Sequence, residues 1–599
     1  MCERRRLPLL LAIHLIVSAA AAAALAWGAG YGLRAVAAHT VVVAEWDLVL
    51  VLLAGLRLPR MTFRSLLAVT CTLQVFLYVL NVVSTLSWDR NMTAHLVSAF
   101  APTVWSGREP FPVGPIGITA FVCGTILLIA AAFAASGQWM DEAAGAWSGR
   151  LRGVRTIVMA GAMAVLFATT VRAGLAGRDN LYWKNELIAS FFRPDVFAFE
   201  PTARRHAVSE RDTRLRAAYP KSVPGAHQRN VVVIIVDSLR ADRMQTYGYS
   251  RPTTPFLAEM VASGRMKQVR DAFSTCSESL CGITSTLASR EFQDISAETF
   301  QLQDVLRDEG YQAWFLLSGN HRAWNGLPRF YHAADGTLFD GSQTRCYTMD
   351  DDRLVLEGLE RVPPASADHP AFFYIHLMST HYLGVQFPES HVFTRPDDHV
   401  NPGLEPYKIL EKLNKPDRYD DKVLQADGMI RRLFDALGAK HYLDDAVLVV
   451  TGDHGEGLGE RHWAHGWHLY NEDIRIPLLV YDSPGAPAAT YPDLTFGVQV
   501  DIAPTILDRL GLPIPASWQG ESLLHPSPQR LTHHQTYFLP NRFAALYRDN
   551  DALFKFIATP QYGTEELFDL RKDVHEQHDI TGERPNLAFL RKQLSVPAD

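Results

Sequence analysis

The chain has 599 residues, which is too many for one hydrophobic core, so we expect two or more domains. Lysine and arginine number 57 against 64 aspartates and glutamates, giving a net charge of −7. The charges are dispersed, which excludes the basic stripe expected of a nucleic-acid-binding protein. The first 175 residues are strongly apolar, whereas the remainder has the composition of a soluble enzyme.

Five N-terminal segments are candidates to cross a bilayer, which takes about 20 apolar residues each. They are residues 7–27, 38–56, 62–88, 113–135 and 154–173. The second is interrupted by Glu45 and Asp47, but counting it as a span places all the arginine groups of this region on one side. That side is cytoplasmic by the positive-inside rule. We therefore predict a five-helix transmembrane domain over residues 1–175, with everything after residue 173 outside the cytoplasm.

Residues 176–228 are polar, rich in arginine and interrupted by four prolines. They show no sustained helical or strand period. We expect a juxtamembrane linker and favour a solvated connector over a lipid-binding segment.

From residue 230 onward, apolar strand-like runs alternate with segments of helical spacing. Such alternation predicts an α/β domain built on a mainly parallel, doubly wound sheet. Helical spacing is found over residues 302–309 and 419–437. The predicted strands are residues 231–236, 313–317, 371–375, 446–451 and 477–481.

Two of these strands are followed at once by acidic or imidazole side chains. Asp237 follows the first strand, and Asp453 and His454 follow the strand over residues 446–451. In an open α/β sheet the ligand crevice lies outside the carboxyl ends of the strands, so we expect these side chains to meet there. Oxygen and imidazole ligands suit Zn²⁺ or Mn²⁺ better than Ca²⁺.

A nucleophile is expected in the segment Ser274-Thr-Cys-Ser-Glu-Ser-Leu-Cys-Gly-Ile-Thr-Ser285. Its hydroxyls precede a helix-like run, and free N–H groups at a helix start favour an anion. An ordinary capped helix is the alternative. Cys276 and Cys281 lie on the exported side and favour a disulfide slightly over two buried thiols, although Cys346 leaves the pairing open.

Several histidines follow strand ends and are further candidates. His381 comes five residues after His376, for which alone we favour a structural role. The run from Glu460 to Tyr470 holds His462, His465 and His468. At least one of these three is expected at the site, because they directly follow the proposed metal motif and Gly466 disfavours a regular helix.

Several motifs resemble the alkaline phosphatase/sulfatase superfamily over residues 229–581. They are Val236-Asp-Ser-Leu-Arg-Ala-Asp242, Tyr247-Gly-Tyr249, Thr253-Thr-Pro-Phe256, Asp453-His-Gly-Glu456 with Gly459-Glu460, Ile474-Arg-Ile-Pro-Leu478, and Leu567-Phe-Asp-Leu570 with Glu576. The resemblance implies a catalytic domain over residues 229–525 and a small C-terminal subdomain over residues 526–599. Five membrane helices ahead of such a domain resemble phosphoethanolamine transferases, lipoteichoic acid synthases and the inner-membrane regulator of lipopolysaccharide synthesis.

The resemblance also implies roles for single residues. The tail Thr286-Leu-Ala-Ser-Arg290 fits the stretch that follows the sulfatase nucleophile and places Ser279 at that position, while a competing register places Cys276 there. Metal ligands would be Asp237, Ser279, Asp453 and His454, and the proton donor would be His465 or His381.

Sulfatases need a formylglycine, whose formation requires Pro and Arg two and four residues after the modified residue. After Ser279 those positions hold Cys281 and Ile283, and after Cys276 they hold Glu278 and Leu280. An unmodified serine suits phosphoryl transfer through a phospho-enzyme. The transferases usually have Glu and Thr where this chain has Asp237 and Ser279, and both substitutions retain the chemical capacity.

We therefore predict a metal-dependent transferase in a bacterial inner membrane, with its catalytic domain on the periplasmic or extracellular side. It would move phosphoethanolamine or phosphoglycerol from a phospholipid donor to an envelope lipid or glycan. The alternatives are a hydrolase of phosphate or sulfate esters and a non-catalytic, lipid-binding regulator.

Overall fold

The computed structural model describes eleven stretches of the chain. They are residues 203–220, 228–296, 298–322, 327–331, 337–366, 369–394, 414–484, 489–536, 542–559, 564–583 and 589–594. The five predicted membrane spans lie outside these stretches. Among the helices that are described, none combines the length and the apolar character needed to cross a membrane.

The described strands, numbered along the chain, are β1 Asn230–Val236, β2 Met266–Gln268, β3 Ala272–Phe273, β4 Gln312–Leu317, β5 Leu338–Asp340, β6 Ala371–Leu377, β7 Ala446–Gly452, β8 Gly457–Leu458, β9 Trp463–Ala464, β10 Arg475–Ile476, β11 Leu478–Asp482, β12 Gly497–Val498, β13 Gln529–Gln535, β14 Phe543–Asp549, β15 Ala552–Thr559 and β16 Thr564–Asp569.

The α-helices are α1 Ala203–Ala218, α2 Pro255–Ala262, α3 Ser279–Ala288, α4 Leu302–Asp308, α5 Arg353–Glu360, α6 Pro416–Ala439, α7 Asn471–Ile474, α8 Ile502–Arg509 and α9 Phe589–Gln593. Short 3-10 helices occupy Ala241–Arg243, Gln245–Tyr247, Phe292–Asp294, Leu327–Phe330, Pro388–Ser390 and Gln499–Asp501.

The central sheet has seven strands in the order β2-β11-β7-β1-β6-β4-β5. The pairs β7:β1, β1:β6, β6:β4 and β4:β5 are parallel. Strand β11 runs antiparallel to both β7 and β2. The sheet is therefore mixed, with a parallel centre as predicted and one reversed strand that the sequence did not indicate.

Helices cover both faces of this sheet. On one face, α2, α5 and α6 bury apolar side chains against Val232, Ile234 and Val236 of β1. The intervening residues of β1 point to the opposite face because side chains alternate along a strand. On the other side α4 contacts β4 and α8 contacts β7. Strand β1 is completely buried apart from its first residue, which explains its unbroken β-branched run.

Part of the predicted linker is a docked helix, which corrects the expectation of a solvated connector. In α1, Asp212 is fully buried and its Oδ1 accepts a hydrogen bond from Arg290 Nη2 at 2.6 Å. After the helix, Tyr219 packs edge-on against Phe300, with ring centroids 5.3 Å apart. The arginine-rich composition obscured this docking, because it depends on a few specific contacts, among them the buried Asp212 carboxylate.

The C-terminal subdomain is a four-stranded antiparallel sheet in the order β13-β14-β15-β16. Strand β13 connects it to the loop before α3 through His534. The Nδ1 of His534 donates to the carbonyl oxygen of Ser274 at 2.7 Å, and Nε2 accepts from the Thr532 hydroxyl at 2.9 Å. Both ring nitrogens are thus used by a neutral imidazole that is only 2% exposed. Burial lowers the pKa of His534 to about 3.

We expect His534 to make the stability of this domain fall on acidification. Protonation is favoured in the unfolded chain, so the contribution is complete above pH 6.5 and is lost as the pH falls from 6.5 towards 3. The loss approaches about 1.4 kcal/mol per pH unit. Urea unfolding between pH 7.5 and 4.5 should show a shallower pH dependence for His534→Gln than for the wild type. His525→Gln, whose side chain is 79% exposed, is the control, and parallel curves for all three proteins would refute this role.

Candidate active site

The proposed metal ligands meet at the carboxyl ends of two neighbouring strands. Val236 of β1 and Gly452 of β7 are paired in register, so Asp237 and Asp453 follow them side by side. Asp237 is 4% exposed, while Asp453 and His454 are fully buried. The ligand atoms of these three residues all lie within 4.8 Å of one another.

Hydrogen bonds to one side-chain atom of Asp453 and one of His454 orient these two side chains, so that the second ligand atom of each is left for a metal ion. Oδ1 of Asp453 accepts from the backbone N–H groups of Ser238 at 2.9 Å and His454 at 2.8 Å. Its Oδ2 is buried and has no hydrogen-bond partner among the described residues. Nδ1 of His454 donates to the Gly455 carbonyl at 2.7 Å, so Nε2 keeps its lone pair for a ligand.

The electrostatics of the site call for a cation. Burial, together with the nearby Asp453 carboxylate, raises the pKa of Asp237 to about 7. Burial lowers the pKa of His454 to about 4, which favours the neutral imidazole that metals bind. Two buried carboxylates that share one site repel each other, and a divalent ion between them relieves that repulsion. Two carboxylates, one imidazole and one hydroxyl fit Zn²⁺ or Mn²⁺.

We expect Asp453→Asn to weaken metal binding by more than roughly 100-fold, since even changes of residues behind the ligands cost 10- to 100-fold. The amide oxygen can still accept the bonds from Ser238 and His454, so the loop should keep its shape. Metal content after dialysis against limiting Zn²⁺ or Mn²⁺ measures the effect. Asp427→Asn, a buried carboxylate that accepts from the first N–H groups of α2, is the matched control. Equal metal content in Asp453→Asn and wild type would contradict the assignment.

Ser279 is the first residue of α3 and lies against the three ligands. Its Oγ donates to Asp237 Oδ2 at 3.3 Å and is 3.1 Å from His454 Nε2. The preceding Glu278 caps the helix, because its carboxylate accepts from the N–H groups of Leu280 and Cys281. The hydroxyl is therefore held where it can both bind a metal and attack a substrate.

Gly282 allows helix α3 to approach the loop that carries Asp453 and His454 this closely. A Cβ at this position would lie 2.3 Å from the carbonyl oxygen of Asp453. Real Cβ atoms do not come so near to a backbone oxygen, so α3 packs here only because residue 282 has no side chain.

The disulfide Cys276–Cys281 forms on either side of Ser279, as the sequence favoured. It ties the loop before α3 to the first turn of the helix. The disulfide also removes Cys276 as a competing nucleophile, because its sulfur is not a thiol. Cys346 is a free, exposed cysteine.

The two proposed acid–base histidines lie next to each other at the site. The ring of His465 is 4.2 Å from that of His454 and 5.3 Å from that of His381, measured between centroids. Nδ1 of His465 is 3.2 Å from both carboxylate oxygens of Glu456. Burial opposes protonation of His465, but the negative charge of Glu456 outweighs burial and raises the pKa of His465 to about 9. Burial lowers the pKa of His381.

The other two histidines of the predicted cluster lie elsewhere. His462 and His468 stack on each other with ring centroids 4.1 Å apart, and His462 Nε2 is 3.0 Å from Asp473 Oδ1. Ala464 and Gly466, which lie between His462 and His468, have positive φ angles that are incompatible with a regular helix. This agrees with the expectation from the sequence.

His376 faces the site, which corrects the structural role favoured from the sequence. Its Nε2 lies 3.8 Å from Asp237 Oδ2 and 4.0 Å from Asp453 Oδ2. Neither ring nitrogen has a hydrogen-bond partner among the described residues, although the ring is almost fully buried. The available signal was an imidazole, the side chain of His376, within the fully buried run of β6.

Two residues inside the quoted motifs have positioning roles that the sequence did not indicate. Glu456 orients His465, as described above. Ser238 has a positive φ of 61°, and its Oγ donates to Asp237 Oδ1 at 2.9 Å. Both roles arise from the way the loops fold, so the spacing of these residues along the sequence does not indicate them.

The centre thus combines a candidate metal site with a serine at the start of the adjoining helix. The family model for sulfatases matches residues 229–512, and the model described as "N-sulphoglucosamine sulphohydrolase, C-terminal" matches residues 459–596. The chain thus contains a domain of the sulfatase/alkaline phosphatase superfamily.

Curated relatives are similar over a part of their length. The multifunctional alkaline phosphatase superfamily protein PehA of Trinickia caryophylli is 29% identical over 196 residues, which is 29% of this chain and 37% of PehA. The N-acetylglucosamine-6-O-sulfatase of Bacteroides thetaiotaomicron is 31% identical over 172 residues, covering 27% and 31% of the two chains. The matches span about a third of the length of these relatives.

Among solved structures, the integral membrane lipooligosaccharide phosphoethanolamine transferase A (EptA) from Neisseria meningitidis shares the fold. Its TM-score is 0.50 at 15% sequence identity, covering 81% of this chain and 90% of EptA. At this identity the likeness concerns the fold alone.

Proposed function

We propose that this protein transfers a phosphoethanolamine or phosphoglycerol group from a phospholipid to an envelope lipid or glycan through a phospho-Ser279 intermediate. The observation that carries the proposal is the hydroxyl of Ser279, which lies beside the candidate divalent-cation site. The residue two positions later, where formylglycine formation needs proline, is Cys281, which is held in a disulfide. The chemistry left to this serine is direct attack on phosphorus.

In the first half-reaction the chain supplies the nucleophile and the acid. A bound divalent cation would lower the pKa of the Ser279 hydroxyl and neutralise phosphodiester charge. Ser279 Oγ, its proton released to solvent, attacks phosphorus, and the bond from phosphorus to the diacylglycerol oxygen breaks. His465, held by Glu456 through Nδ1, gives the proton on Nε2 to that leaving oxygen.

In the second half-reaction the same groups work in reverse. The acceptor hydroxyl oxygen attacks phosphorus and gives its proton to His465, which is now neutral. The bond from phosphorus to Ser279 Oγ then breaks, that oxygen takes a proton back from solvent, and the free enzyme is restored. His381, whose ring lies beside that of His465, is the other candidate for this proton transfer.

The proposed location is a bacterial inner membrane, with the catalytic domain on the periplasmic side. Supporting it are the five predicted N-terminal spans, the fold shared with the membrane protein EptA over 81% of this chain, and the disulfide, which requires an oxidising compartment. An enzyme held in the membrane meets its lipid donor in two dimensions, which raises the effective concentration of that donor.

A hydrolase of phosphate or sulfate esters is the second candidate. The names of the curated relatives, which include sulfatases, favour it, and water as the acceptor requires no change in the residues of the site. Transfer of the headgroup to an added acceptor distinguishes the two activities.

The test is the intact mass of the detergent-purified protein after incubation with Zn²⁺ or Mn²⁺ and vesicles of phosphatidylethanolamine and phosphatidylglycerol. We expect an added mass equal to one phospho-headgroup in the wild type and none in Ser279→Ala. Bound metal without an adduct would favour a hydrolase with a short-lived intermediate. Absence of both metal and adduct would favour the non-catalytic regulator.

A further inference from the structure

The segment of chain that carries His465 is held by the C-terminal subdomain. His465 directly follows β9, and residues 465–471, the His465 segment, run to α7 without regular secondary structure before it. Three backbone groups of this segment, on alternate residues, bond to charged side chains of the subdomain. They are the Trp467 carbonyl with Arg542 Nη1, the Leu469 carbonyl with Lys555 Nζ at 2.8 Å, and the Asn471 N–H with Glu576 Oε2 at 2.6 Å. An irregular segment has many conformations open to it, so these contacts fix its path.

Lys555 and Glu576 form the centre of this contact, and both side chains are fully buried. Nζ of Lys555 lies 2.5 Å from Glu576 Oε1. It also donates to the Leu469 carbonyl oxygen and to Asn471 Oδ1, both at 2.8 Å. A lysine ammonium has three donors, so all three are used. The other oxygen of Glu576 accepts from the Asn471 N–H, and the pair is thus bonded to itself and to the His465 segment.

Stability alone does not explain this ion pair. Burial lowers the pKa of Lys555 and raises the pKa of Glu576 to about 7, as expected when ions are held out of water. A buried ion pair adds little net stability compared with apolar residues of similar volume. Apolar residues could not bond backbone groups of an irregular segment at fixed positions. The pair is therefore suited to hold this segment in one conformation.

The turn that carries Glu576 is also bonded to the chain before His465. Arg461, four residues before His465, donates through Nη2 to the carbonyl oxygens of His575 at 2.7 Å and Glu576 at 2.6 Å. Its guanidinium lies over the ring of Tyr470, 4.3 Å from the centroid. Glu576 thus joins the chain before His465 to the chain after it, and the position of the imidazole depends on both contacts.

We propose that Lys555 and Glu576 are positioning residues that hold the His465 ring where it can protonate the leaving oxygen. This inference rests on the acid role of His465 in the proposed function. The geometric demand is strict, since a group misplaced by about 1 Å can cost roughly 100-fold in rate. Both residues act through the His465 segment and take no part in the bond changes themselves.

The leaving group distinguishes this role from a general loss of structure. The diacylglycerol oxygen is a poor leaving group and needs a proton as its bond to phosphorus breaks. In a 4-nitrophenyl ester of the same phospho-headgroup, the electrons of that bond leave on a stable nitrophenolate anion, and no proton is needed. A variant with a misplaced acid should therefore be slow with the lipid and close to wild type with the nitrophenyl ester.

The test is the first turnover of the full-length protein in detergent with Zn²⁺ or Mn²⁺. Diacylglycerol release from phosphatidylethanolamine and phosphatidylglycerol is compared with nitrophenolate release from 4-nitrophenyl esters of phosphoethanolamine and phosphoglycerol. Lys555→Met should slow the lipid reaction by roughly 10- to 100-fold and change nitrophenolate release by less than about 3-fold. His465→Gln should show the same pattern with a larger loss. Because Lys555 acts through His465, adding Lys555→Met to His465→Gln should cause no further loss.

Lys440→Met is the matched control. Nζ of Lys440 donates to the Val362 carbonyl oxygen at 2.6 Å at the end of α6, so this variant also removes a bond from a lysine to a carbonyl. Both leaving groups should depart at the wild-type rate. A second variant combines Lys555→Met with Glu576→Gln, which leaves no lone buried charge to unfold the domain. It should give the same leaving-group pattern as Lys555→Met.

Equal slowing of both reactions in this double variant, slowing of neither, or a loss that adds to that of His465→Gln would overturn the inference. If the wild type still transfers headgroups, the proposed function then stands without it. If the wild type releases diacylglycerol but transfers nothing to an added acceptor, and the leaving-group pattern is present, the proposed function fails and the positioning role stands. A wild type that releases neither leaving group would refute both.

Discussion

Ser279→Ala is expected to lower turnover by roughly 10⁴- to 10⁶-fold, the range seen when an enzyme loses its nucleophile. Alanine leaves α3 without the oxygen that lies 3.1 Å from His454 Nε2 and 3.3 Å from Asp237 Oδ2. No other hydroxyl replaces it at the start of the helix. Asp237, Asp453 and His454 remain, so the variant should keep most of its bound metal and its melting temperature.

Headgroup transfer from phosphatidylethanolamine or phosphatidylglycerol to an added acceptor measures this loss, together with the metal content of the same samples. Ser277→Ala is a close control, because Ser277 lies in the same loop, is fully buried and has a hydroxyl without a described partner. Its turnover should stay within a few-fold of wild type. Activity retained by Ser279→Ala, or lost equally in both variants, would show that the serine is not the nucleophile.

Arg290→Met is expected to destabilise the catalytic domain by about 3–5 kcal/mol, because it leaves a buried carboxylate without its partner. Asp212 is fully buried and Arg290 is 4% exposed, with Nη2 and Oδ1 separated by 2.6 Å. Burial raises the pKa of Asp212 even with the arginine present. The pair joins α1 to the residues that follow the nucleophile helix, so its loss should also loosen that contact.

Urea unfolding of the full chain in detergent measures the change in the free energy of unfolding. Asp212→Leu combined with Arg290→Met should recover much of the loss, since neither charge is then buried alone. Arg307→Met is the control, because its ion pair with Asp304 involves a side chain 41% exposed and should be worth at most about 1 kcal/mol. A similar small loss for Arg290→Met would mean that α1 is not held by this pair.

The sequence predicted the sheet well where burial alone determines a strand. Strands β1, β6 and β7 begin and end within two residues of the predicted runs, because strands covered on both faces are uniformly apolar. The direction of β11 was not predictable in the same way, since an apolar run reads the same for parallel and antiparallel pairing. Helix α1 was missed because its docking depends on Asp212 and on a partner 78 residues away.

In the candidate site, too, some residues were predictable from their position in the sequence and others only from the folded structure. Asp237, Asp453 and His454 were predictable because chain position at a strand end determines where they lie. His376 precedes its strand end, and only the distances from its Nε2 to the carboxylates, 3.8 Å to Asp237 and 4.0 Å to Asp453, show that its ring faces them. Glu456 was part of a recognised motif, but its contact with His465 arises from the fold of the loop between them.

Gly282 fixes the spacing between α3, which begins at Ser279, and the loop that carries Asp453 and His454. The residue is helical, so what it provides is space for the Asp453 carbonyl rather than backbone freedom. An alanine there would have to move either α3 or Asp453, a proposed metal ligand. Homologues that carry a larger residue at this position must therefore hold their nucleophile at a different distance from the metal site. In a saturation library of position 282 selected for activity, we expect only glycine to be recovered.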